Sequence, residues 1–237
     1  MNRLRTTREA LAVLALGLCA SWAQEQSVRP GVNATFEKIE DVQRYIKMFE
    51  GDGRAIYNSR EEIVRALGLK KGMDVADIGA GTGFFSYMFS ESVGPKGTVY
   101  AVDIAEEFIA LIDKTAAEKG IANVKTLLCT ADSTNLGPNS IDAAFVCDVY
   151  HHFEFPYKSL ASIHQALRDG GTLMIVDFER INGVTTPFSI EHVRCGKGTV
   201  MDEIKDSGFE FVKEFPIMKE QYVITFKKRN DAPAPAK

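Results

Sequence analysis

The 237-residue sequence contains four cysteines, one tryptophan and no cluster of basic residues after residue 30. Cysteines at unrelated spacings do not form a disulfide framework. A net charge of −4 without grouped Lys and Arg argues against a nucleic-acid partner, because phosphate backbones are bound by clustered basic side chains. No internal repeat is present, and 45% hydrophobic residues suffice for one full core. The composition therefore predicts a single, mildly acidic, soluble domain.

The N-terminal apolar run, residues 10–20, is too short to span a bilayer comfortably. Arg3, Arg5 and Arg8 precede it, and Ser21 and Ala23 occupy the −3 and −1 positions of a cleavage site. This layout is typical of a secretory signal peptide over residues 1–23, and an Arg-rich organelle transit peptide is the alternative. We expect a periplasmic or secreted protein without stable membrane association after cleavage. If the segment is not a working signal, the protein is cytoplasmic.

The rest of the chain divides into a linker, one domain and a tail that we expect to be disordered, at residues 24–34, 35–229 and 230–237. Helical spacing of apolar residues predicts helices over 36–49 and 59–67. From residue 73 onwards, predicted strands alternate with helices. The strands are 73–78, 98–103, 123–128, 141–147 and 171–177, and the helices are 83–92, 105–119 and 156–168. A helix at 199–207 and strands at 209–215 and 221–228 follow. This order predicts an α/β fold with a doubly wound, mostly parallel seven-stranded sheet and an antiparallel edge strand.

The most informative segment is residues 75–85, where a predicted strand breaks into a glycine-rich turn before a helix. Gly79, Gly81 and Gly83 allow a tight turn and a close approach of the backbone to a ligand, and the helix N-terminus offers free N–H groups. Asp77 lies two residues before the first glycine. This Asp-x-Gly-x-Gly-x-Gly pattern differs from the G-x-G-x-x-G of dinucleotide-binding turns, which disfavours a dinucleotide-dependent oxidoreductase.

Polar residues follow the next two predicted strands, at the edge where parallel sheets bind ligands. Asp103 follows the second strand, where its carboxylate can accept hydrogen bonds from a ribose diol. The alternative is an Asp that caps the helix at 105–119. Asp132 and Ser133 follow the third strand and can meet the amino group and ring of an adenine, although Asp-Ser is also a frequent turn pair.

The fourth predicted strand ends at Cys147 and delivers several polar and aromatic side chains directly to the same edge. Asp148 and Tyr150 can point at a substrate or at another bound ligand. His151 can act as a base, because the pKa of imidazole is near neutral. The alternative is that His151 and His152 cap or pack under the following helix.

A metal site formed by His151, His152, His192 and Cys195 is another interpretation. Since no ligand-spacing motif connects these residues, we expect no metal. His192 and Arg194 lie two residues apart, so in an extended segment they share one face and can reach the same substrate anion. A surface ion pair with the neighbouring glutamate is the alternative.

Residues 75–177 together resemble the class I S-adenosylmethionine (SAM) methyltransferases. The likeness rests on the glycine motif at 77–83, on Asp103, on Asp132 and Ser133, on the segment after Cys147 and on the Leu-x-x-Gly-Gly turn at 167–171. Within the class, the chain is similar to small-molecule methyltransferases related to the ubiquinone/menaquinone and arsenite enzymes. The cysteines do not reproduce the ligand set of the arsenite enzymes. The segments 150–152 and 191–194 resemble an exported bacterial subgroup.

The resemblance implies a Rossmann-like fold, SAM as the cofactor and methyl transfer to a small-molecule acceptor. The residues expected around SAM are Asp77, Gly79, Ala80, Gly81, Gly83, Asp103, Ile104, Asp132, Ser133 and Cys147. The residues expected to act in catalysis are Asp148, Tyr150 and His151. The residues expected to contact the acceptor are Tyr57, Arg60, His152, His192 and Arg194. The alternatives are an exported protein that binds SAM or S-adenosylhomocysteine without methyl transfer, and a histidine-based metal-binding protein.

Overall fold

A seven-stranded sheet forms the centre of the structure, a computed structural model that describes residues 26–36 and 38–230. The strands are β1 Val75–Ile78, β2 Val99–Asp103, β3 Val124–Leu128, β4 Ile141–Cys147, β5 Leu167–Phe178, β6 Phe209–Glu214 and β7 Gln221–Lys228. The predicted signal peptide and residues 231–237 of the predicted tail lie outside the described residues.

The strand order is β3-β2-β1-β4-β5-β7-β6, and the strands from β1 to β5 are parallel to one another. The predicted fold class is confirmed. The one antiparallel strand, β7, lies between β5 and β6 and pairs with both. Because β1 pairs with both β2 and β4, the chain reverses its direction of progress across the sheet at β1. Such a switch point opens a crevice at the carboxyl ends of the strands, where ligands bind in open α/β sheets.

Eight helices within the described residues cover or flank the sheet. They are α1 Val42–Phe49, α2 Ala55–Asn58, α3 Arg60–Leu67, α4 Phe84–Val93, α5 Glu106–Lys119, α6 Pro156–Ala166, α7 Pro187–His192 and α8 Lys197–Asp206. The central strands β1 and β4 are mostly apolar and almost wholly buried, as expected for strands with helices on both faces. On one face, Phe145 packs edge-on against Phe85 and Phe89 of α4. On the other face, Leu160 and Ile163 of α6 join the core.

The structure departs from the sequence analysis at two places. The predicted helix 36–49 is split into a 3-10 turn, Ala34–Phe36, and α1, because Asp41 caps the N–H groups of Gln43 and Arg44 and starts a new helix. The segment around His192 is not extended. Thr186 caps the N–H of Ser189, and the proline that follows Thr186 occupies the first helical position of α7.

The predicted linker packs against the domain over its described part, residues 26–34. The Val28 N–H donates to the Glu154 carbonyl (2.9 Å), and the Asn33 side-chain amide donates to the His152 carbonyl (3.1 Å). The segment therefore contributes to the edge of the sheet where β4 ends. Within residues 26–36 and 38–230, no helix has the length and apolarity needed to cross a membrane.

Candidate functional site

A cavity of about 760 Å³ opens at the carboxyl ends of β1, β2 and β4. Its volume lies within the range of small-molecule and cofactor sites. One side consists of the glycine turn after β1 and the ends of β2 and β3, and is called the turn wall below. The opposite side consists of the segment after β4, the described residues before α1, and α7, and is called the histidine wall.

Glycine is required at two positions of the turn wall. Gly79 and Gly81 have φ values of +72° and +55°, a region that side chains disfavour. A Cβ on Gly79 would lie 2.4 Å from a Val149 methyl carbon, so the turn after β1 and the segment after β4 touch there. Gly83 is not part of the cavity lining. It is the N-cap residue of α4, and a Cβ on it would lie 2.8 Å from Ile112, so its role is packing.

Asp103 lies in the cavity wall and also fixes the local backbone. One carboxylate oxygen accepts from the Gly81 N–H (2.7 Å) and the other from the Ala105 N–H (2.9 Å). The ligand and capping interpretations therefore describe the same side chain, since each oxygen keeps a second lone pair for a ligand. Burial raises the pKa of Asp103, while these backbone hydrogen bonds act against the rise.

Asp77 is buried beneath the same turn and borders the cavity. Burial raises the pKa of Asp77 to about 7, despite a hydrogen bond from the Ser86 hydroxyl (2.6 Å) that acts to lower it. A carboxyl group with this pKa can change its charge when a cation binds beside it. Ala80, Ile104 and Cys147, which the sequence predicted around a cofactor, line the same cavity. Burial raises the pKa of the Cys147 thiol well above its usual value, so it is a packed thiol.

The two residues predicted after β3 have different positions. Ser133 lines the cavity, with its neighbours Ala131 and Thr134. Asp132 does not. Its half-exposed carboxylate accepts from the Thr130 hydroxyl (2.9 Å) and lies 3.4 Å from the Lys158 ammonium. The expectation that Asp132 faces a ligand is therefore wrong in this structure.

His151 and Asp177 form a buried pair on the histidine wall. Nδ1 of His151 lies 2.8 Å from one Asp177 oxygen, and the His151 N–H donates to the other (3.1 Å). Burial acts to lower the pKa of His151, but the charge and hydrogen bond of Asp177 raise it overall. Asp177 therefore holds the ring by Nδ1 and leaves Nε2 as the nitrogen that can serve a ligand.

Two further histidines surround His151. Ring centroids are 4.4 Å apart for His151 and His152, 4.9 Å for His151 and His192, and 5.2 Å for His152 and His192. Burial, and then the charges of the neighbouring histidines, lower the pKa of His152 to about 3. Burial also lowers the pKa of His192. His152 and His192 are therefore neutral at pH 7 and can act as hydrogen-bond acceptors or metal ligands.

Asp148 lines the cavity beside an arginine that the sequence patterns do not single out. The Arg54 guanidinium lies 2.5 Å from the Asp148 carboxylate and stacks on the Phe49 ring at 5.0 Å. Asp148 has a φ of +58°, which is uncommon for a residue with a side chain and occurs most often at functional sites and turns.

Tyr150 and Arg194 do not face the cavity, which corrects two predictions. The Tyr150 ring is fully buried, and its hydroxyl donates to Glu203 (2.7 Å). Arg194 forms a two-bond ion pair with the same carboxylate, at 2.9 and 2.7 Å. His192 is the last residue of α7 and Arg194 lies beyond the helix, so the two do not belong to one extended segment. The three residues tie the segment after α7 to α8 and are structural.

Tyr57 and Arg60 are also outside the cavity lining. The Arg60 guanidinium stacks on the Tyr57 ring at 4.3 Å and donates to the Tyr57 carbonyl (2.7 Å). The Tyr57 ring contacts Phe84, which does line the cavity, with ring centroids 5.8 Å apart. The expectation that either side chain contacts an acceptor directly is therefore wrong in this structure.

The described residues before α1 contribute to the histidine wall, which the linker prediction did not anticipate. Arg29 donates to the His192 carbonyl, and Phe36 packs edge-on against the His152 ring at 5.4 Å. The Pro30-Gly31 turn signal predicts irregular backbone, but a single sequence carries no signal for contacts with residues more than a hundred positions away.

Comparisons with known proteins place this geometry in context. Residues 69–215 match the family described as a methyltransferase domain. The ubiquinone/menaquinone biosynthesis C-methyltransferase of Blochmanniella floridana is 30% identical over 120 residues, which are 50% of this chain and 47% of that protein. The demethylmenaquinone methyltransferase of Geobacillus kaustophilus is 25% identical over 155 residues, 64% of each chain. The crystal structure of a SAM-dependent methyltransferase from Aquifex aeolicus superposes with a TM-score of 0.70 at 25% identity, over 80% of this chain and 99% of that one.

Proposed function

Because the chain belongs to the class I SAM-dependent methyltransferases, we propose that it transfers a methyl group from SAM to a small-molecule acceptor. The proposal rests on the cavity between the two walls. A turn wall of glycines and buried carboxylates faces a histidine wall across one continuous space. A donor and an acceptor bound on opposite walls would be held close together, which is the main requirement of a methyl transfer.

The family match confirms the predicted family, an enzyme of this class and SAM as the cofactor of the class. The match with the Blochmanniella relative spans about half the length of that curated protein. The acceptor and the roles of individual residues therefore remain proposals for this chain.

The turn wall fits SAM on its own geometry. The absence of side chains at Gly79 and Gly81 leaves the backbone open to a ligand, and the carboxylates of Asp77 and Asp103 border that opening. We assign Asp77 to the ammonium group, Asp103 to the ribose diol and Ser133 to the adenine end. When bound, SAM supplies an electrophilic methyl group on a sulfonium sulfur.

On the histidine wall we assign His151 to proton removal from the acceptor. Asp177 keeps the proton on Nδ1, so Nε2 takes the acceptor proton, and the carboxylate stabilises the imidazolium that forms. Phe36, Phe84 and Phe188 line the cavity and give it apolar surface. These rings favour an acceptor with an apolar body and one ionisable group, and the pairing of Arg54 with Asp148 leaves no net charge beside it.

The test is a turnover assay with methyl-labelled SAM and a panel of phenols, quinols and thiols, with S-adenosylhomocysteine measured as the common product. We expect labelled product from at least one class, and a loss of about 100-fold or more in His151→Gln. His164→Gln, which changes a histidine of α6 outside the cavity lining, is the matched control and should keep its activity. SAM binding without product from any class would favour a binding protein without methyl transfer.

We also infer that the protein is exported. Arg3, Arg5 and Arg8 before a short apolar run support this, together with the small residues Ser21 and Ala23. Intact-mass analysis of protein recovered from the periplasm or medium should give a chain that begins at residue 24. Recovery of the uncleaved chain in the cytoplasm would contradict export without affecting the proposed activity.

A further inference from the structure

The chain has four histidines, and three of them converge on one spot of the histidine wall. His151, His152 and His192 each offer one ligand atom, and these atoms lie within 4.8 Å of one another. His151 and His152 follow β4, whereas His192 ends α7 some forty residues later, so the cluster forms only in the folded chain. No sequence motif with metal-ligand spacing therefore predicts this cluster.

We propose that these three imidazoles bind one divalent transition-metal ion whose remaining coordination position faces the cavity. Three nitrogen ligands and one open position are the arrangement of catalytic rather than structural zinc sites. A tetrahedral ion would need the nitrogens about 3.4 Å apart for metal–nitrogen bonds of about 2.1 Å. Since the three atoms lie within 4.8 Å of one another, they have to close by at most about 1.4 Å, which side-chain rotations can supply.

Two observations beyond proximity support a ligand at this spot. Nδ1 of His152 is buried, and among the described residues it meets no hydrogen-bond partner. A buried polar atom without a partner is costly, and a metal ion bound at this nitrogen would satisfy it. The Asp177 carboxylate also holds Nδ1 of His151, which is the second-shell arrangement that orients histidine ligands in metal sites.

The charges around the cluster indicate which ions fit. Asp148 and Asp177 contribute two negative charges, and Arg54 and Arg29 contribute two positive charges beside them. Without excess negative charge and with imidazole ligands, the site should reject Mg²⁺ and Ca²⁺, which need oxygen ligands. It should accept Zn²⁺, Co²⁺ or Ni²⁺.

The function of the ion rests on the proposed methyl transfer. The open position would take an oxygen or sulfur atom of the acceptor, whose proton would leave to water through the cavity, and would stabilise the resulting negative charge. This atom would then form a bond to the methyl carbon of SAM as the methyl–sulfonium bond breaks and S-adenosylhomocysteine leaves. In the metal-bound protein, the ion occupies the His151 nitrogen that takes the acceptor proton in the metal-free protein. His151 can therefore bind the ion or remove a proton, but not both at once. Binding of the ion itself does not depend on the methyl transfer.

The test uses purified protein without a histidine tag, stripped with chelator and then equilibrated separately with Zn²⁺, Co²⁺ and Mg²⁺. After removal of free ion, we expect about one Zn²⁺ or Co²⁺ per chain, no Mg²⁺ and a raised melting temperature. His192→Ala should lose the ion, because His192 is the least buried ligand and its removal leaves the sheet edge intact. His164→Gln, the histidine outside the cluster, should keep it. Co²⁺ should also give the visible spectrum of a tetrahedral site.

Each outcome decides the proposal. Absence of retained Zn²⁺ and Co²⁺ in the wild-type protein would overturn it, as would equal retention in His192→Ala. SAM titration of the same samples separates this site from the proposed function. SAM binding without metal retention overturns only the metal site, whereas metal retention that His192→Ala abolishes supports the site even if SAM fails to bind.

Discussion

The two walls of the cavity are built from different materials. The turn wall is mostly backbone: Gly79 and Gly81 in left-handed conformations, with the Asp103 carboxylate accepting backbone N–H groups. The histidine wall is mostly side chain, with rings and ion pairs contributed by segments far apart in the sequence. A backbone wall has a fixed shape and tolerates no added atoms, whereas a wall of paired side chains can change its chemistry by single substitutions. This difference suits a constant donor on one side and a specific acceptor on the other.

The largest effect should come from Gly79→Ala, where the two walls meet. The added Cβ would collide with Val149, and the positive φ adds strain. We expect destabilisation of about 2–4 kcal/mol and loss of SAM binding, measured by urea denaturation and calorimetry. Gly72→Ala is the matched control, since its φ is +85° with nothing within 4 Å, and it should cost about 1–2 kcal/mol. Equal losses of stability in Gly79→Ala and Gly72→Ala would contradict the close contact between Gly79 and Val149. Adding Val149→Ala to Gly79→Ala should restore part of the lost stability.

The second effect separates acceptor chemistry from SAM binding. Asp177→Asn removes the charge that orients and polarises His151, and Asp177 is not in the cavity lining. Turnover should fall by about 100-fold or more, while the Kd for SAM changes less than about threefold. The pH–rate profile should also shift to lower pH, because without the carboxylate the pKa of His151 falls. An unchanged pH–rate profile together with a loss of folding stability would indicate that Asp177 has a merely structural role.

The turn wall was largely predictable, because its residues are close in sequence to the strands that present them. Asp77, Gly79 and Asp103 each lie within a few residues of a strand end, and strand ends follow from apolar runs. The prediction that Asp132 faces a ligand failed because its carboxylate pairs with Lys158 of α6. No local sequence pattern indicates this contact. The predictions for Tyr150 and Arg194 failed for the same reason, since both side chains donate hydrogen bonds to Glu203 of α8. Arg54 was missed because its partner Asp148 is distant in sequence.

The third effect concerns the pH dependence of SAM affinity. In the free protein, burial gives Asp77 a pKa of about 7, so the carboxyl group is protonated below that pH. A bound ammonium group favours the carboxylate, so binding releases a proton and the affinity rises with pH. Below pH 7 the Kd should increase by about tenfold for each unit of pH. Calorimetry in buffers of different ionisation enthalpy measures the released proton, and Asp77→Asn should abolish both effects. A flat Kd between pH 5.5 and 7 would contradict the assignment.

The smallest effect should come from Tyr150→Phe, which tests whether Tyr150 is part of the core. Glu203 keeps its two bonds from Arg194, so the lost hydrogen bond should cost about 1 kcal/mol of unfolding free energy. Turnover and SAM affinity should remain unchanged within about twofold. A large loss of turnover in a stable variant would return Tyr150 to the catalytic residues.

The central claim is that donor and acceptor occupy opposite walls of one cavity, and calorimetric titration of SAM into matched variants tests it most directly. Asp103→Asn and Asp132→Asn each remove one carboxylate charge, but only Asp103 borders the cavity. We predict that SAM binds the wild-type protein and Asp132→Asn with the same affinity, and that Asp103→Asn weakens binding by about tenfold or more. His192→Ala, on the other wall, should bind SAM as the wild-type protein does. Equal affinities of Asp103→Asn and Asp132→Asn, or no binding of SAM to the folded wild-type protein, would contradict the account.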